Sequence, residues 1–135
     1  MSQMGIDYGG KRIGLAVSAS GVIATPHSVI AAAGDPIGRI TAIAAEHEIE
    51  TFVVGVARRP RSTAGEAKFH AFAAALRQRS CKSVVLWDET LSTVDAAERL
   101  REAGGSASRR NEDIDMYAAA VILQSYLDDQ RRRAS

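Results

Sequence analysis

The sequence predicts an α/β domain: a five-stranded mixed sheet in the order β-β-β-α-β-α-β-α-α, with helices on both faces. Three observations carry this. The N-terminal part alternates apolar and small or polar residues with a period of two, broken by glycine-rich turns. Two later runs, 51–56 and 83–87, are short and nearly all apolar, as in strands covered on both faces. Around them, apolar residues recur at helical spacing.

Residues 4–8 read Met-Gly-Ile-Asp-Tyr, a strand pattern. Gly9 to Arg12 supply a turn, and Ile13, Leu15 and Val17 restart the alternation, making a hairpin. Gly21 opens a second turn. A third extended stretch follows from Val22 to Ile30, and Pro26 within it implies an edge or a bulge. Asp35-Pro36 reads as an N-cap followed by proline at the first helical position. Ile37, Ile40, Ile43 and Ala44 form that helix's apolar stripe. After the buried strand at 51–56 comes a polar loop over 58–65, then a helix marked by Phe69, Phe72, Ala73 and Leu76. The strand at 83–87 leads to a helix over about 93–103, opened by Ser92 and Thr93 as capping residues and closed by Gly104-Gly105. A last helix is expected from about Asp113 to Gln130, with Ile114, Ala118, Val121, Ile122 and Tyr126 inward. Right-handed crossovers then set the two later strands beside the first.

A length of 135 residues suits one domain, 1–135, large enough to bury a core without staples. Cys81 is the single cysteine, which excludes an internal disulfide and fits a reducing cytoplasm. No leader pattern or long apolar run points to a membrane. The net charge of +1 does not by itself announce a nucleic-acid partner. Its distribution says more, because arginines cluster at 58, 59 and 61, at 109–110 and at 131–133, and such clusters can neutralise phosphates.

Four acids stand out by position. Asp7 interrupts a strand of small and apolar residues, Asp88 and Glu89 follow the buried strand ending at Trp87, and Asp115 lies in the first turn of the last helix. Ala118, Ala119 and Ala120 let that helix approach the sheet closely. If the first and last parallel strands are neighbours, Asp7 and the 88–89 pair converge, with Asp115 above. Gathered carboxylates repel, and a hard divalent cation removes that cost; oxygen-only donors favour Mg²⁺ or Mn²⁺. Two such ions about 4 Å apart can clamp the attacking and leaving oxygens of a phosphodiester. Each acid taken singly also has a plain structural use, as a turn, cap or helix-dipole partner.

Other chemistries find less support. Lys11-Arg12 after Gly9-Gly10 lacks the spacing of a Walker-type phosphate loop. His27, His47 and His70 are scattered in sequence without zinc-ligand spacing, and Cys81 has no histidine near it in sequence. An Asp-x-Gly opening also occurs in actin-like sugar kinases and ATPases, but those bind ATP between two such domains.

Gly-Ile-Asp-Tyr-Gly-Gly-Lys-Arg-Ile-Gly-Leu-Ala-Val-Ser at 5–18 closely resembles the opening of the YqgF/RuvX family. Val-Val-Gly at 53–55, Trp-Asp-Glu-Thr-Leu-Ser-Thr at 87–93 and the block from Ile114 to Asp128 resemble its later motifs in order. The resemblance implies a ribonuclease-H-like fold and a nuclease with acidic metal ligands, described both as a Holliday junction resolvase and as the enzyme maturing the 5′ end of pre-16S ribosomal RNA. Carried over by motif, Asp7 and Asp115 are the first and last ligands. The middle ligand falls in the Asp-Glu block, where adjacent strand residues face opposite ways, so only one of Asp88 and Glu89 meets the metal; Glu89 is favoured.

The pattern is broken in three places: Thr90 stands where the family has arginine, Ala19 where it has aspartate, and Gly55-Val56-Ala57-Arg58-Arg59-Pro60-Arg61 replaces its Gly-Leu-Pro loop. The expected function is therefore a Mg²⁺- or Mn²⁺-dependent endonuclease acting on pre-rRNA or a four-way DNA junction. Lys11, Arg12, Arg58, Arg59 and Arg61 would hold the phosphates. Ribosomal precursor particles are an expected partner in the first case and a homodimer in the second, since a resolvase cuts two symmetric strands. Thr90 and Ala19 motivate an alternative, a ribosome-assembly factor of the same fold with little catalytic power.

Overall fold

A computed structural model describes residues 2–56, 63–88 and 111–134. Five strands form one sheet: β1 (Ser2–Tyr8), β2 (Arg12–Ser18), β3 (Thr25–Ala31), β4 (Ile49–Val56) and β5 (Ser83–Asp88). Three helices flank it: α1 (Pro36–Glu46), α2 (Thr63–Ser80) and α3 (Asn111–Ala134). The strand order is β3-β2-β1-β4-β5. β2 runs antiparallel to β1 and β3, whereas β4 and β5 continue parallel from β1. The first strand is thus central, with β4 beside it; β5 lies beyond β4, so the first and last parallel strands are not the neighbours they were expected to be.

Strand alternation divides the core in two. Met4, Ile6, Ile13, Leu15, Phe52, Val54 and Val84 pack with Ile40 and Ala44 of α1 and with Phe72, Ala73 and Leu76 of α2. On the opposite face, Ala16 and Val53 pack with Ala119, Ala120, Ile122, Leu123 and Leu127 of α3. α1 begins as expected: the Asp35 carboxylate accepts from the Gly38 amide at 3.2 Å, with Pro36 at the start.

Two expectations change. β3 starts at Thr25 rather than Val22. The reason is the buried Gln124 of α3, whose Oε1 accepts from the Ala24 amide at 2.9 Å and whose Nε2 donates to the Val22 carbonyl at 2.8 Å. Those backbone groups are satisfied by a helix side chain instead of a ladder. Ile114 does not face inward; it is 51% exposed, and the inward stripe runs through Ala119, Ala120, Ile122, Leu123 and Leu127. The helix expected over 93–103, with its caps Ser92 and Thr93, and Arg109-Arg110 lie outside the described residues.

Candidate active site

Asp7 is the penultimate residue of β1, at the carboxyl end of the parallel strands, where open α/β sheets place their ligand sites. Alternation sets its face. Met4 and Ile6 join the core under α1 and α2, so Gly5 and Asp7 look toward α3. The register then gives Asp7 unusual neighbours: Gly14 on β2 and Gly55 on β4, with Trp87 beyond Gly55 on β5. Two side chains are missing from the row on either side of the carboxylate.

α3 supplies the second acid by close approach. A Cβ on Gly14 would collide with the Asp115 carbonyl oxygen and meet the Met116 amide at 3.0 Å. Farther along, a Cβ on Gly5 would lie 2.6 Å from the Ala119 carbonyl oxygen. Both glycines sit on the face shared with Asp7, so the helix backbone rests directly on the sheet. The helix starts at Asn111, so Asp115 falls in its second turn rather than the first as expected, and that second turn lies over Gly14, the register partner of Asp7. Two glycines let α3 lie on this part of the sheet: Gly5, two residues before Asp7 in β1, and Gly14, its register partner in β2. The role of Gly14 is legible only once register is known.

Arg12 shares that face. Its Nε donates to Asp115 Oδ2 at 2.6 Å, with the arginine side chain 44% exposed and the aspartate 24%. A residue expected to hold phosphate thus holds an acid of the site as well. The exposed Lys11 stands next to it in the β1–β2 turn, where its carbonyl accepts from the Ala32 amide at 2.9 Å. Tyr8 belongs to the other face, stacked on Phe72 with ring centroids 4.3 Å apart, which fixes the end of β1 against α2. Trp87 Nε1 donates to Ser125 Oγ at 3.2 Å, tying the end of β5 to α3.

Asp88 pairs in register with Val56 and shares the parity of Val84 and Leu86, whose side chains belong to the α1–α2 core. Strand alternation therefore assigns it to the face opposite Asp7. Glu89, Arg58, Arg59, Arg61 and Thr90 lie outside the described residues. Among the described residues, no group of three His, Cys, Asp or Glu side chains gathers as a metal site. Asp7 and Asp115, one on β1 and the other on the helix backbone that lies on its register partner Gly14, carry only hard carboxylate oxygens. That fits a Mg²⁺ or Mn²⁺ site in donor chemistry. No helix of the described residues is long and apolar enough to cross a membrane.

Comparison with known proteins shows the family and the fold. A family model described as "RuvX: Holliday junction resolvase" matches residues 1–129. A "Putative pre-16S rRNA nuclease" of Geobacillus kaustophilus is 43% identical, with 97% of this chain and 100% of that protein covered. A protein of the same name from Pelotomaculum thermopropionicum is 38% identical, with 98% and 90% covered. Among solved structures, Thermus thermophilus RuvC in complex with a Holliday junction substrate superposes with a TM-score of 0.66 at 18% identity, covering 97% of this chain and 96% of its own. The fowlpox virus resolvase bound to junction DNA gives a TM-score of 0.61 at 10% identity, with 96% and 99% covered. These last two show a common fold, the ribonuclease-H-like sheet with its flanking helices.

Proposed function

Because the chain belongs to the family described as RuvX Holliday junction resolvases, we propose that it is a divalent-metal-dependent endonuclease that hydrolyses phosphodiester bonds in structured nucleic acid. One observation carries the reading to particular residues: the backbone of Asp115 rests on Gly14, the register partner of Asp7.

In this reading Asp7, Asp115 and Glu89 hold Mg²⁺ or Mn²⁺. The parity of Asp88, away from Asp7, favours Glu89 as the third donor. The ion supplies positive charge that offsets the carboxylates' mutual repulsion and stabilises charge developing on the phosphate. The chain's own groups do the rest. Arg12 orients Asp115 through its 2.6 Å bond and, with Lys11, presents cationic charge at the mouth of the site. Arg58, Arg59 and Arg61 extend that charge, taking the place of the family's usual loop. Gly14 admits the backbone of α3 over the register partner of Asp7.

The names of the relatives favour pre-16S rRNA as the substrate, and in this reading the cut matures its 5′ end on ribosomal precursor particles in the cytoplasm. The family description favours a second reading, resolution of a four-way DNA junction by a homodimer. Purified protein with Mg²⁺ or Mn²⁺ is to be given a precursor rRNA fragment and a four-way junction in parallel, with Asp7→Asn as control. Cleavage of the RNA fragment, lost in the variant, is the expected result; cleavage of the junction alone selects the second reading. Tight RNA binding with no cleavage of either substrate would overturn both in favour of an assembly factor.

A further inference from the structure

His27 and His47, twenty positions apart, meet at the outer edge of the sheet with their Nε2 atoms 3.1 Å apart. Their rings stand nearly perpendicular, at 88° with centroids 4.9 Å apart. Neither position is accidental in the backbone. Leu15 pairs with Ser28 and Ala16 with Pro26, so His27 is the extra residue of a β-bulge and has no partner across the ladder. Bulges re-aim side chains, and this one stands beside a proline on an edge strand. His47 is the C-cap of α1, where its amide is bonded back to the Ile43 carbonyl at 3.2 Å.

The contact has the form of a ligand pair with a proton in place of a metal. His27 Nδ1 lies 2.8 Å from Ser28 Oγ. If Nδ1–H donates there, His27 Nε2 is an acceptor, and the proton between the rings belongs to His47 Nε2. A hydroxyl on the far nitrogen is the usual means of orienting a ligating histidine. Two nitrogens bound tetrahedrally at about 2.0–2.1 Å stand roughly 3.3 Å apart, close to the separation already present. Partial burial, and then the neighbouring His47, hold the pKa of His27 below its ordinary value against the opposing charge of Glu46. The neutral, ligating form of His27 is thereby favoured.

We propose that His27 and His47 form a two-histidine site for a borderline transition-metal dication such as Zn²⁺ or Ni²⁺. Imidazole nitrogen selects these ions over Mg²⁺. The site is distinct from the acidic one: β3 lies two strands from β1, roughly 10 Å across the sheet. Among the described residues no third His, Cys, Asp or Glu completes it, so water fills the remaining positions and the ion exchanges readily. Bound metal would clip the edge strand to the end of α1 and stabilise the folded state by mass action.

The test is calorimetric titration of the full chain with NiCl₂, alongside thermal melts with and without nickel. The wild type is expected to take up nickel with a rise in melting temperature that excess MgCl₂ does not reverse. His27→Ala and His47→Ala should each lose that binding while keeping the wild-type circular dichroism, since both rings are exposed. Ser28→Ala should weaken it about tenfold. Asp7→Asn should leave it intact, which separates this site from the acidic one. No nickel uptake by the wild type, or uptake by both histidine variants equal to that of the wild type, overturns the proposal.

Discussion

The carboxylate of Asp7 stands in a sheet row whose flanking positions, Gly14 and Gly55, carry no side chain, with Asp115 delivered above one of them. Gathering acids raises the energy of the metal-free fold, so function and stability pull in opposite directions here. Asp7→Asn should therefore lower cleavage by about a hundredfold or more, while the metal-free melting temperature stays equal or rises. Arg12 and Asp115 make a partly exposed pair, worth under about 1 kcal/mol to stability. Arg12→Ala should leave the melting temperature nearly unchanged yet reduce cleavage, and Arg12→Lys should restore only part of it, because Lys lacks the Nε donor. Asp7 could be read from the sequence because an acid breaks an apolar alternation. The bond between Arg12 and Asp115 could not, since it joins positions 103 apart in the chain.

α3 touches the sheet backbone to backbone at Gly5 and Gly14, where rigid atoms oppose any added Cβ. Gly5→Ala and Gly14→Ala should each destabilise by about 1–3 kcal/mol through overpacking, measured by urea unfolding. Only Gly14→Ala should cost activity beyond its cost in stability, because it lifts Asp115. The same helix anchors the segment before β3 through Gln124, and Gln124→Leu should cost about 1–3 kcal/mol by stranding the Ala24 amide and Val22 carbonyl. Near the opposite end of the sheet, Arg79 of α2 bonds the Asp35 cap of α1 at 2.6 Å and 3.2 Å. Arg79 first, and the Gly38 amide second, hold the Asp35 carboxyl below its ordinary pKa. A depressed carboxylate pKa adds stability above the unfolded value and loses it as pH falls through the folded one. Any advantage of wild type over Asp35→Asn should thus vanish on acidification below the usual carboxylate range, as followed by melts at stepped pH. Asp35-Pro36 announced its helix because capping is local; Ile114 was misassigned because the helix pattern fixes spacing, not which phase meets the sheet.

Across the molecule, the β-β-β-α-β-α-β order led to the five-stranded mixed sheet that is found, but of the two crossover strands expected beside β1 only β4 is its neighbour, with β5 beyond it. The hairpin, the two buried runs and the long final helix were legible because period and length are properties of a segment. What escaped the sequence are meetings between distant segments: glycines opposite Asp7, Gln124 under the start of β3, and two histidines joined by a bulge. The acidic site depends on such a meeting, so its sharpest test is whether Asp7 and Asp115 act as one unit. The measurement is a double-mutant cycle on cleavage rate in Mg²⁺, comparing Asp7→Asn, Asp115→Asn and the double variant. Residues of a single metal site should be non-additive, the double variant being about as impaired as the worse single one. Losses that multiply independently, or a single variant that cuts at the wild-type rate, would contradict a shared site.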